Sequence, residues 1–176
     1  MKKIIILSIA ICLLHFSETV GQSQLHELLN HVVGGTWISQ NQQNPGNPDD
    51  FKLFYMRFTN WGDKESVQGN IYGVKNNGDS VLLIQIWNFI NKAEKNIYLV
   101  QRTTWGEMST GSITAYGEND LDIQFKSITS QGQQYYTRDL HYLDGNDKMR
   151  AETFQKSKEA DEWKKTGESD WERIKY

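Results

Sequence analysis

The chain has 176 residues, 38% of them hydrophobic and 23% charged, with a formal net charge of −3. That length suits one domain, and the acidic balance excludes a protein that grips a nucleic-acid backbone, which would present a basic surface. The single cysteine, Cys12, excludes an intrachain disulfide framework.

The N-terminus "MKKIIILSIAICLLHFSETVGQ" places Lys2 and Lys3 before an unbroken apolar run from Ile4 to Leu14. The run is shorter than the roughly 20 apolar residues of a membrane-spanning helix and matches the central region of a secretory signal. Cleavage after Gly21 divides the chain into a signal over 1–21 and one domain over 22–176, exported to the periplasm or beyond. Ile11 before Cys12 is not the small residue that a lipidation site requires, and no stable membrane insertion is expected. The mature domain then has no cysteine. Its length of about 155 residues buries enough surface for an apolar core to suffice.

Leu25, Leu28, Leu29, Val32 and Val33 form one stripe at helical spacing. Ser23 is a candidate N-cap and Gly34 a candidate stop, so a short helix is expected just before the first strand. From Trp37 onward the chain is a series of β-like runs: "TWISQ", "FKLFYMRFTNW", "SVQGNIYGV", "SVLLIQIWNFI", "NIYLVQRTTW", "GSITAYG", "LDIQFKSIT", "QYYTRDLHYL", "MRAETFQK" and "WERIKY". The connections between them are short and rich in Gly, Asn and Asp, with Asn77-Gly78 and Asp144-Gly145 as two-residue turns. The longest early connection, "NQQNPGNPDD", holds both prolines, and "KSKEADEWKK" alternates in sign as a solvated segment does. Parallel strands need crossovers of a dozen residues or more, so the sheet is antiparallel. A long meander removes its edges by closing. The expected fold is all-β: a single up-and-down antiparallel barrel of about 8–10 strands with a short N-terminal helix across one end. Trp37 would fill that end.

Gly35-Thr36-Trp37 on the first strand, after a short helix and before an up-and-down series, resembles the calycin superfamily. Within it the pattern is most similar to secreted bacterial lipocalin-like domains, down to the ending "SDWERIKY". The Asp- and Arg-bearing turn motif of true lipocalins is absent, which leaves the broader description calycin-like. The resemblance implies a basic residue from a late strand packed over Trp37. Arg173 is the best match and Arg150 the second. It also implies a barrel that binds a small ligand.

Three mid-strand arginines stand among aromatic neighbours. Arg57 shares a face with Tyr55, Arg102 with Tyr98, and Arg138 with Tyr136. Directed inward, with Trp87 as a further wall, they would suit a small apolar or amphipathic ligand with an anionic head group. Directed outward, they would be surface cation–π contacts. Apolar residues occupy both faces of these strands, so alternation does not choose between the two. His26 and His31 are five apart and share no helical face for a metal, and no cofactor or metal site is expected. Asp139 and His141 share a strand face and offer an alternative catalytic pair, but no serine sits in a nucleophile elbow, and an enzyme is the less favoured reading. A barrel packed solid, acting as an interaction or envelope structural module, is the other alternative.

Overall fold

A computed structural model describes residues 27, 29–40, 50–62, 65–94, 96–117 and 120–175. The signal region, His26 and the double-proline loop lie outside the described residues. Ten strands follow one another: β1 (Thr36–Gln40), β2 (Phe51–Asn60), β3 (Ser66–Lys75), β4 (Ser80–Asn91), β5 (Asn96–Thr103), β6 (Met108–Tyr116), β7 (Asp120–Ile128), β8 (Gln134–Asp144), β9 (Lys148–Lys156) and β10 (Lys164–Ile174). Each pairs antiparallel with its sequence neighbours, and β1 also pairs with β10, so the sheet closes into an up-and-down barrel. Closure satisfies the backbone donors and acceptors that an open edge would leave exposed. At Asn77-Gly78 the turn forms as expected: Gly78 takes a left-handed φ of 96°, and the Asn77 side chain accepts the Asp79 amide at 2.9 Å.

The last strand is longer than the sequence suggests. "KKTGESD" has no apolar alternation and reads as a charged loop, yet it forms the first part of β10, paired to β9. Its stability comes from outside the barrel. Lys165 Nζ donates to Glu152 at 3.0 Å and to Glu168 at 2.8 Å, and a bulge between Lys165 and Gly167 bends the strand around the wall.

One end is closed by the chain that precedes β1. Residues 27 and 29–31 are helical, Leu29 and Val32 are buried, and Trp37 beneath them is 0% exposed. The Trp37 indole donates to the Val32 carbonyl at 3.1 Å. Trp37 and Arg173 are cross-strand partners, which sets the guanidinium 4.8 Å from the indole centroid. Arg173 also donates to the carbonyls of His31, at 2.6 Å, and Asn146, and forms an ion pair with Asp147. Gly35 makes the approach possible. Its φ is 71°, and a Cβ there would lie 2.6 Å from the Ile174 carbonyl oxygen.

Arg173→Ala is expected to cost about 2–4 kcal/mol, because it removes a cation–π contact and leaves the part-buried carbonyls of His31 and Val33 without this donor. Urea unfolding checks this as a lower midpoint at unchanged slope. Arg173→Lys should recover only part of the loss, since an ammonium cannot reach several carbonyls at once while lying over the ring.

Candidate functional site

The inward positions follow from Trp37. Met56 faces it across β1 and β2, and the alternation then runs around the wall: Phe58 on β2, Ile86 and Asn88 on β4, Leu99 and Gln101 on β5, Ile123 on β7, Asp139 and His141 on β8. The interior is not packed solid. Side chains from nine strands and the helical turn enclose a cavity of about 260 Å³. Most of the wall is aliphatic or aromatic. The polar exceptions are Asn88, Gln101, Asp139, His141, Thr153 and Ser169.

Some of these are committed to the protein. Gln101 donates to Ser109 at 3.3 Å, Ser109 pairs with Ser127 at 2.8 Å, and Ser169 accepts the Trp171 indole N–H at 2.8 Å. Two are not. Asn88 is only 4% exposed and its Oδ1 has no hydrogen-bond partner, and Asp139 Oδ1 is likewise buried and unpartnered. A buried acceptor without a donor costs about 1–3 kcal/mol. Both residues line the cavity, whereas the other unpartnered buried atoms, on His31, Asn96 and Thr137, belong to residues that do not.

The titration of β8 follows from its position. Burial pushes the Asp139 carboxyl up to about 6, opposed only by the hydroxyl of Thr153, its cross-strand neighbour. Burial alone pulls the His141 imidazole down to about 4. Both side chains keep some accessible surface, and that surface faces the cavity. Neither appears among the causes of the other's shift, so they do not act as an ion pair.

The arginine pocket expected from the sequence is not formed inside the barrel. Arg57, Arg102 and Arg138 occupy outward positions, and so do Tyr55, Tyr98, Tyr136 and Trp87; none of the seven lines the cavity. Each arginine has an outer-surface setting. Arg57 donates to Thr36 at 3.0 Å and lies 5.4 Å from the centroid of Tyr55, whose ring stacks on Tyr72. Arg138 forms a two-pronged pair with Asp122, at 3.0 and 2.8 Å, which raises its pKa further. Arg102 is exposed beside Met108 on β6. The physical reason is the one left open by alternation: the outer faces of β2, β5 and β8 are rich in aromatic rings, so a guanidinium among rings does not mark the inside.

Asp139 and His141 do face the cavity, as the enzymatic alternative requires. The hydrogen bond between base and partner that it also requires is absent. Asn88, Gln101, Thr153 and Ser169 were not singled out by sequence reasoning. Their signal was a polar residue interrupting an apolar period-2 row, as in Ile86-Asn88-Ile90 and Ile97-Leu99-Gln101. No group of three or more metal-ligating side chains gathers among the described residues. His31 is half-buried above Trp37, with its pKa lowered by burial and by Arg173. Among the described residues no helix is long and apolar enough to cross a membrane. No known protein family and no curated protein matches the chain.

Asp139 and His141 give opposing pH dependences. With its folded pKa raised, Asp139 contributes stability that is full below 3.8 and lost as pH rises through 6. With its folded pKa lowered, His141 contributes stability that is full above 6.5 and lost as pH falls through 4. Between about pH 4 and 6 the two slopes cancel, each near 1.4 kcal/mol per pH unit. Single variants should unmask them. Relative to the parent, Asp139→Asn should gain about 3 kcal/mol as pH rises from 4 to 6.5, and His141→Gln should lose about as much. Urea midpoints across that range test it, and differences that stay flat with pH would refute the assignment.

Proposed function

We propose that this chain is an exported, calycin-like binding protein that encloses a small, mainly apolar molecule in its barrel. Export rests on the Lys2-Lys3 pair and the apolar run that follows them. The observation that carries the binding reading is the cavity: a space of about 260 Å³ inside the barrel with a mainly apolar wall and a few polar groups, the usual composition of a small-molecule site. An apolar body displaces water from that wall, worth about 25 cal/mol per Å² of surface buried. A ligand with a hydrogen-bonding end would supply the donors that Asn88 and Asp139 lack. An anionic head group is disfavoured, because among the described residues no arginine or lysine lines the cavity and a carboxylate does. Binding without catalysis is favoured because Asp139 and His141 are not coupled.

Native mass spectrometry of the gently purified protein tests this. The expected result is an added mass that leaves on unfolding and is lost in Ala151→Phe, which fills the cavity from β9. Arg57→Ala, Arg102→Ala and Arg138→Ala should retain it, since those side chains lie outside. A protein free of added mass that also fails to bind 1-hexanol, followed by NMR shifts of Ile113 and Ile123, would overturn the proposal.

A further inference from the structure

Two acceptors on residues that line the cavity, Asn88 Oδ1 and Asp139 Oδ1, are buried without a hydrogen-bond partner. Among the described residues Asp139 is the sole carboxylate on the wall, and Oδ1 is the oxygen without a partner. The described residues around it supply no countercharge. β7 presents Ile123 beside it and β9 presents Thr153. His141, on the same strand, is held neutral by burial down to about pH 4. The strands across the cavity contribute Asn88 and Gln101, which are uncharged. The cation at the closed end, Arg173, is engaged by the Trp37 ring, Asp147 and three backbone carbonyls. At neutral pH the carboxylate is therefore ionised in an apolar enclosure with no cation among its described neighbours. Buried charges in proteins are paired, because the desolvation of an isolated one is costly and a low-dielectric setting strengthens any partner's attraction.

Resting on the binding reading above, we infer that the cavity selects an apolar amine, whose protonated nitrogen donates to Asp139 Oδ1 while its hydrocarbon body lies against the aliphatic wall. An ammonium group supplies three donors and one positive charge, which match an acceptor-only carboxylate. Asn88 Oδ1 is a second acceptor, from across the cavity, and Thr153 and Ser169 add hydroxyls. A carboxylate-bearing ligand would be repelled. A neutral alcohol would satisfy one hydrogen bond and leave the charge uncompensated. Binding an ammonium also favours the ionised form of Asp139, so amine affinity falls as pH drops below the carboxyl's free value of about 6.

The test uses three probes with one body: hexylamine, 1-hexanol and hexanoate, titrated into the mature protein and followed by NMR. Hexylamine should bind at least tenfold more tightly than 1-hexanol at pH 7.5, and hexanoate least. Asp139→Asn is nearly isosteric and removes a buried charge, so it should fold. It should weaken hexylamine at least tenfold and change 1-hexanol less than twofold. In the parent protein, lowering the pH from 7.5 to 5 should weaken hexylamine several-fold and leave 1-hexanol unchanged, which tests the same contact without a substitution. Equal affinities for hexylamine and 1-hexanol, or hexylamine binding that survives Asp139→Asn, would overturn the amine assignment while leaving a binding cavity. Failure of all three probes, or binding unaffected by Ala151→Phe, would overturn the cavity reading and the amine with it.

Discussion

The pairing of Trp37 with Arg173 is the constraint on which the rest of the barrel depends. A ten-strand meander is a ribbon with two edges until β1 meets β10, and only three residue pairs make that junction. Only alternate pairs of an antiparallel ladder exchange hydrogen bonds, so this is a small junction for a contact between distant parts of the chain; Arg173 and His31 are 142 positions apart in sequence. The side chains make up the difference. One guanidinium covers the largest buried ring, holds the carbonyls of the chain leading into β1, and ties down the β8–β9 turn through Asp147. The helical turn, the first strand, the last strand and one end of the barrel are thus fixed by a single residue. The two glycines before Trp37 belong to the same device. Gly34 and Gly35 both take left-handed φ values, and at Gly35 there is no room for a side chain between the backbone and Ile174.

Closure also decides what the interior is. Once Trp37 and Arg173 are inside, antiparallel register fixes the inward side of every other strand, because each cross-strand pair lies on one face. Inward glycines permit large neighbours: a Cβ at Gly69 would collide with the Phe58 ring, and one at Gly111 with the backbone of β7. A void remains among the inward side chains, lined by Asn88 on β4 and by Asp139 and His141 on β8.

Much of the fold was legible in the sequence. Short runs of Val, Ile, Tyr and Trp separated by turn residues give ten strands, and short loops make them antiparallel. The early part of β10 was not legible, because its stabilising contacts are ion pairs with β9 and its own residues have no apolar alternation. The choice of face was illegible for a different reason. Tyr55, Tyr72, Trp87 and Tyr98 cover the outside of the barrel, so both faces look like a core. Only the register to Trp37 separates them, and register is not written in any one strand. Asp139 and His141 could be seen as a pair on one face; that their face is the inner one required the same information.

The opposed titrations of Asp139 and His141 support the proposal that the site holds a ligand and does not transform one. A general acid–base pair exchanges a proton through a short hydrogen bond, with each partner's charge stabilising the other's. Here both groups resist charging, each for its own desolvation, and neither relieves the other. The histidine stays a neutral dipole over the whole range in which the carboxylate ionises. Above about pH 6 the cavity therefore carries one negative charge that no cation among the described wall residues compensates. A protein interior tolerates that state only at a cost in stability. An occupant that brings the missing positive charge relieves it, and the free energy released appears as affinity. On the amine-binding proposal, the carboxylate that costs stability when unpaired is the group that selects the ligand, through the same electrostatic term.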